Sequence, residues 1–189
     1  MLVWALGSFA LLLGASSLLS RYLSWNELRT DLVRLNDPVL KVVPFCDVRR
    51  WLSPVLFVNV GVLVVHIAVR WDMRGWTLHN LSFVMMLVLR CTCIWLCPLA
   101  IHADGRRVRD LLLDKFTPSY KNDLLFSGHV AHLFILGVIF AEFRWFFWTS
   151  SFATAAMLLA IRAHYAIDVF LAPFMGFCAV TLTRTLTSL

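Results

Sequence analysis

The chain has 189 residues, of which 60% are hydrophobic and 15% are charged, and its formal net charge is +6. Soluble domains are about half apolar and a quarter charged, so this composition excludes an ordinary water-soluble domain. Nearly all basic residues lie between apolar runs, where a membrane protein meets anionic headgroups, and this placement argues against nucleic-acid binding. No linker or repeat divides the chain, so we expect one integral-membrane domain over residues 1–189.

A helix needs about 20 apolar residues to cross a hydrocarbon core of about 30 Å. Six runs of suitable length lie between charged residues, at positions 2–19, 51–69, 78–101, 124–141, 145–161 and 167–182. We therefore predict an all-α, multi-pass membrane protein that folds as a bundle of six transmembrane helices.

Two long connections, residues 20–50 and 102–122, belong to the same side of the predicted membrane. In the first, Ser24 and Glu27 fit a capping box, and apolar residues recur at helical spacing from Trp25 to Leu35. The second mixes basic and apolar residues. Both patterns predict interfacial helices that lie on the membrane surface.

Ionisable residues within membrane spans, or at their ends, are costly and tend to be functional. His164 and Asp168 are four residues apart in a segment predicted to be helical, so the carboxylate can meet the imidazole. A carboxylate that holds one ring N–H raises the basicity of the ring. This arrangement prepares a histidine as a base or as a nucleophile.

A second polar group, made of Asp123, Ser127, Gly128 and His129, opens the fourth span on that same side. Histidines from two helices would then converge. One imidazole can attack a phosphorus atom while the other protonates the departing oxygen, as general acid–base catalysis requires. The alternative for any single histidine is hydrogen-bonded packing, which is our interpretation of His66, His79 and His132.

Arg90 lies near the middle of the third predicted span, where an unpaired guanidinium would cost several kcal/mol. Its planar fork suits the bidentate binding of phosphate, so Arg90 is the candidate for stabilising a phosphoryl group. The alternative is a structural ion pair with Asp123 or Asp168.

Two segments resemble the signature motifs of the sphingomyelin synthase family, which belongs to the wider type 2 phosphatidic acid phosphatase superfamily. One reads Asp123-Leu-Leu-Phe-Ser127-Gly128-His129, and the other reads His164-Tyr165-Ala-Ile-Asp168-Val-Phe-Leu-Ala. The resemblance extends to Arg90 and Pro98, and more weakly to Asp37-Pro38.

The resemblance implies that His164 is the nucleophile, Asp168 its orienting carboxylate, and His129 the acid and base at the leaving and accepting oxygens. It implies supporting or substrate-binding roles for Arg90, Asp123, Ser127, Gly128 and Tyr165. The implied reaction moves phosphocholine or phosphoethanolamine from a glycerophospholipid donor to ceramide, diacylglycerol or another lipid alcohol. It requires neither metal nor cofactor.

Val130, Ala166 and Pro173 differ from the residues that the synthases favour, and the chain is more similar to bacterial members of the family. Two alternatives therefore stay open. One is a lipid phosphate phosphatase or phospholipase C-like hydrolase that passes the phosphoryl group to water. The other is a non-catalytic lipid transporter or scramblase with the same fold.

The two indicators of sidedness disagree. Apart from Arg90, twelve basic residues lie on the predicted site side and four on the other, which places the site toward the cytoplasm. The resemblance indicates the exoplasmic side, which we favour slightly because some basic residues can serve substrate phosphates. A homo-oligomer is compatible with the sequence.

Overall fold

A computed structural model describes residues 1–105, 122 and 124–188 of the chain. This part of the chain is helical, apart from turns, extended connections and one isolated bridge between Val33 and Leu99. The helices are α1 (Leu2–Asn26), α2 (Pro38–Val42), α3 (Arg49–Arg70), α4 (Met73–Leu96), α5 (Gly128–Ile139), α6 (Arg144–Ala160) and α7 (Ala166–Thr187), with a 3-10 turn at Ala141–Phe143.

Within the described residues, four helices are long and apolar enough to cross a membrane, namely α1, α3, α4 and α7. They identify the chain as an integral membrane protein. α5 has 12 residues and is about 18 Å long, which is shorter than the hydrocarbon core. The chain then bends by 118° between Ile139 and Ala141, so α5 and the helical segment Ala141–Ala160 count together as at most one broken span. The predicted count of six spans is therefore not confirmed.

The third predicted span is displaced along the chain. Asp72 accepts a hydrogen bond from the Gly75 amide at 2.8 Å, and this cap begins α4 five residues earlier than predicted. The helix ends at Leu96, so Pro98 lies beyond it. As a result, Arg90 occupies the last two turns of α4 and not the middle of a span.

The predicted surface helix over residues 24–35 is wrong. α1 continues to Asn26, and the Ser24 hydroxyl donates to the carbonyl of Ser20 at 3.0 Å instead of capping a new helix. The chain then extends, and Val33 exchanges backbone hydrogen bonds with Pro98 and Ala100. Backbone pairing after α4 thus overrides the local helical pattern. The first long connection contains only the short helix α2, and the second predicted interfacial helix lies outside the described residues.

The helices pack around α4, α5 and α7, which contact one another; α1 packs on α4, and α3 packs on α6. α5 and α7 approach closely, because a Cβ atom on Gly176 would lie 2.9 Å from the carbonyl oxygen of Ala131. Small residues permit such approach between membrane helices, where packing replaces the hydrophobic driving force. This packing brings the end of α4 together with the beginnings of α5 and α7.

Candidate functional site

His164 lies two residues before α7, and Asp168 is the third residue of that helix, so the prediction of a continuous helix from His164 to Asp168 is wrong. Nδ1 of His164 is 3.2 Å from Oδ2 of Asp168, and the two side chains are 8% and 0% exposed. The same carboxylate oxygen accepts the Tyr165 amide at 3.0 Å. Because a carboxylate only accepts, Nδ1 of His164 is the donor. The sequence-predicted contact is therefore present, and Nε2 is the ring nitrogen that takes no part in it.

The beginning of α5 is bonded to the same aspartate. The Ser127 amide donates to the Asp168 carbonyl at 3.1 Å, and the Leu125 amide donates to Oδ1 of Asp168 at 3.2 Å. Leu125 has a φ of 98°, which side-chain-bearing residues rarely adopt and which costs about 1–3 kcal/mol. Ser127 then caps α5, and His129 is its second residue. Asp168 thus joins the two helix beginnings that carry the predicted histidines.

Arg90 reaches the beginning of α5 from α4. Its side chain is buried, and its Cζ lies 5.8 Å from the centroid of the Phe126 ring. A Cβ atom on Gly128 would overlap Nη1 of Arg90, so the guanidinium lies directly against the glycine backbone. The predicted residues Arg90 and Gly128 are in contact because glycine leaves room for the arginine.

Tyr165 and Asp37 hold the beginning of α7 from outside the helix. The Tyr165 hydroxyl donates to the Ala100 carbonyl at 2.9 Å and accepts the Leu35 amide at 3.2 Å. Burial raises the pKa of this phenol, which stays neutral. Oδ2 of Asp37 accepts the Ala166 amide at 2.6 Å, two residues after His164.

Sequence reasoning gave Asp37 no role beyond a weak resemblance. Its Oδ1 accepts the amides of Val39 and Leu40 at 2.8 and 3.4 Å, and it begins α2 with Pro38 as the first helical residue. Asp followed by Pro is a recognisable helix start, so the cap was visible in the sequence. The bond from Oδ2 to Ala166, 129 residues away, has no local signal.

His132 lies one turn after His129 but takes part in a different contact. Its Nε2 is 3.0 Å from Nε2 of His79, whose Nδ1 is 3.2 Å from the side-chain oxygen of Asn80. The Asn80 amide group continues to the Ser8 hydroxyl at 3.2 Å. This chain links α5, α4 and α1. It is the hydrogen-bonded packing that the structural interpretation of His79 and His132 predicts.

Charges of both signs meet at the site. The beginnings of α5 and α7 present partial positive charge and Arg90 adds a positive charge, while the buried carboxylates of Asp37 and Asp168 accept amides at the beginning of α7. Asp123 lies outside the described residues, so the alternative of an ion pair between Asp123 and Arg90 stays a prediction. Among the described residues, no group of three or more histidine, cysteine or acidic side chains is arranged to hold a metal ion.

Residues 122–185 match the family described as PAP2 superfamily C-terminal. The match covers about one third of the chain, from just before α5 almost to the end of α7, and includes His129, His164 and Asp168. It supports the PAP2 superfamily, whose members are typically phosphatases and phosphotransferases. The narrower sphingomyelin synthase resemblance is not confirmed. No curated protein and no solved structure matches the chain significantly.

Proposed function

We propose that the protein is an integral-membrane lipid phosphotransferase that works through a phosphohistidine intermediate on His164. The observation that carries the proposal is the buried pair of His164 and Asp168, bonded through Asp168 to the beginning of the helix that carries His129. Both helix beginnings lie inside the segment that matches the PAP2 superfamily. The proposed substrates are a glycerophospholipid donor and a lipid-alcohol acceptor such as ceramide or diacylglycerol.

In the first half of the proposed reaction, Nε2 of His164 attacks the phosphorus of the donor headgroup. The N–P bond forms as the bond from phosphorus to the glycerol oxygen breaks, and His129 gives that oxygen a proton. Asp168 holds the His164 ring through Nδ1 and stabilises its positive charge. Arg90 and the two helix beginnings stabilise the charge on the equatorial phosphoryl oxygens.

In the second half, His129 removes the proton from the acceptor hydroxyl. The acceptor oxygen attacks phosphorus, the N–P bond breaks, and His164 returns to its neutral state. Water in place of the lipid alcohol would make the same residues a hydrolase. Whether a lipid alcohol or water accepts the phosphoryl group therefore depends on how well the site excludes water. It does not depend on the identity of the catalytic side chains.

The proposal includes the membrane side of the site. We assign it to the exoplasmic surface, on the family resemblance and because basic residues near the site can serve lipid phosphates. Cysteine scanning of the 29–50 connection with a membrane-impermeant thiol reagent, in a background without the native cysteines, tests this assignment. Labelling only after the cells are opened would place the site in the cytoplasm instead.

The activity test uses the purified full chain in vesicles with headgroup-labelled phosphatidylcholine or phosphatidylethanolamine, plus ceramide and diacylglycerol. Headgroup label in a new lipid supports the transferase, and water-soluble label alone would make the protein a hydrolase. His164→Ala is expected to abolish formation of either product. His66 lies near the end of α3, away from the candidate site, so His66→Ala should still form the product. Turnover that survives in His164→Ala would overturn the enzyme assignment and favour the transporter alternative.

A further inference from the structure

A groove of about 430 Å³ lies at the opposite end of the molecule, between the second half of α3 and the turn that follows α5. Its size is within the range of small-molecule sites in proteins. The groove lies beside the 118° bend between α5, which ends at Ile139, and the segment Ala141–Ala160. The short helix leaves one face of α3 uncovered over its last turns.

The wall of the groove is apolar. It is formed by Val62, Val65 and Val69 of α3, and by Phe143 of the turn. At Gly61 the groove is open, because a Cβ atom there would meet nothing within 4 Å. α3 has the length and hydropathy of a membrane span, so we expect most of this wall to face lipid chains.

The end of the groove is charged. The His66 ring lies between two carboxylates, 3.9 Å from Asp72 and 4.0 Å from Glu142, and Arg70 is 3.4 Å from Glu142. Asp72 and Glu142 offer negative charge and Arg70 offers positive charge at one membrane surface. The aromatic ring of Phe143 lies 5.5 Å from His66, edge to face.

We propose that this groove binds a zwitterionic phospholipid, with an acyl chain along α3 and the headgroup among the charged side chains. The headgroup amine is placed beside Glu142, and the phosphate beside Arg70. The two signs of charge on these lining residues match the two charges of such a headgroup, whereas an anionic headgroup has no amine to pair with Glu142. A cationic amine also interacts favourably with an aromatic face such as Phe143.

The groove is separate from the candidate active site. It lies beside the beginning of α4, and Arg90 lies 18 residues beyond Asp72 along that helix, a distance of about 27 Å. The proposal therefore does not rest on the catalytic assignment. Binding at this groove can be measured whether or not the protein turns over any lipid.

The test reconstitutes the full chain in nanodiscs that contain a trace of phosphatidylethanolamine with a photoactivatable acyl chain. Crosslinks are mapped by mass spectrometry and are expected in α3 around residues 61–69. Gly61→Leu should block most of this labelling, because the new side chain fills the groove without a clash. Gly14→Leu is the matched control, since Gly14 is also on an apolar helix with nothing within 4 Å.

The second part of the crosslinking test measures which lipid headgroup the groove prefers. Excess unlabelled phosphatidylethanolamine should compete better than phosphatidylglycerol, and Glu142→Gln should reduce that preference about two- to fivefold, the range for an exposed ion pair. Arg184→Gln, an exposed charge at the end of α7 on the same side, should leave it unchanged. Equal competition by the two lipids in the wild-type protein, or an unchanged preference in Glu142→Gln, would overturn the assignment.

Two further outcomes distinguish lipid binding in this groove from binding of a soluble ligand and from lipid binding in the active site. Soluble phosphoethanolamine is expected not to protect the groove, because the acyl chain supplies most of the contact; protection by it would mean that the ligand is not a lipid. His164→Ala should be labelled at α3 like the wild-type protein. Loss of labelling in that variant would place the bound lipid in the active site and overturn a separate groove.

Discussion

The two ends of the molecule hold their charged residues in different ways. At the site end, Asp37 and Asp168 are buried, and each accepts backbone amides from an element distant in sequence. At the groove end, Arg70 and Glu142 form an ion pair with exposed side chains. Buried, fully bonded carboxylates fix backbone geometry, while exposed pairs contribute about 0–1 kcal/mol and leave the side chains free to exchange partners. The first arrangement suits chemistry, and the second suits reversible lipid contact.

The largest expected effect comes from His164→Ala. Removal of a nucleophile that acts together with a base and an orienting group typically lowers kcat by at least about 10³-fold. Glu142→Gln, at the groove end, should leave kcat within about twofold of the wild type. The measurement is lipid turnover in vesicles at matched protein levels. Equal losses in both variants would contradict the division between the two ends.

Gly128→Val tests the contact between α5 and Arg90. The new side chain would overlap the guanidinium and displace it, and overpacking of this kind costs about 1–3 kcal/mol. Because a misplaced group near the reacting atoms can cost about 10²-fold in rate, turnover should fall by that order. Gly7→Val on α1 is the control, since nothing lies within 4 Å of a Cβ atom there. Thermal unfolding and turnover are measured together. Full activity in Gly128→Val would mean that the position of Arg90 does not matter for turnover.

Asp37→Ala removes the cap of α2 and the acceptor of the Ala166 amide. The expected loss of stability is about 0.5–2 kcal/mol for the cap, with further loss from the unpaired buried amide. Turnover should fall because the segment after His164 is no longer held. Asp37→Asn keeps an acceptor oxygen and should recover part of both properties.

Asp31→Ala is the comparison for Asp37→Ala. Asp31 is exposed, and its salt bridge within the described part of the chain is with Arg29, two residues before it. Its removal should therefore change neither the melting temperature nor turnover measurably. Arg29 lowers the pKa of the Asp31 carboxyl through a direct hydrogen bond, which keeps the pair ionised at neutral pH. An effect as large as that of Asp37→Ala would mean that burial does not distinguish the two carboxylates.

Among the residues around the site, the smallest expected effect concerns Tyr165 at alkaline pH. Its pKa is raised by burial above the ordinary value of about 10, so the folded protein retains the phenol proton where the unfolded chain loses it. The stabilisation is complete below about pH 10 and declines as the pH rises through the raised pKa. Tyr165→Phe should lose about 1 kcal/mol at neutral pH, from one or two hydrogen bonds, and should lack this alkaline decline. Melting curves from pH 8 to 11 measure both.

Local patterns in the sequence predicted several features correctly. The spacing of His164 and Asp168 predicted their contact, though not the break in the helix between them, and apolar runs predicted α1, α3, α4 and α7. The prediction of a surface helix failed because backbone hydrogen bonds to a distant segment of the chain replaced the local helical pattern. The apolar stripe from Trp25 to Leu35 predicted a helix, but the chain there pairs with residues 98–100 instead.

The sequence by itself determined that this is a helical membrane protein in which a histidine and an aspartate four residues apart meet, because hydrophobicity and short sequence spacing are local properties. Only the tertiary structure decided that His164 precedes α7, that Asp37 accepts the Ala166 amide, that Arg90 lies against Gly128, and that a groove lies beside α3 next to the bend after α5. Each of these contacts joins segments far apart in the chain. Their geometry depends on how whole helices pack, which no local spacing encodes.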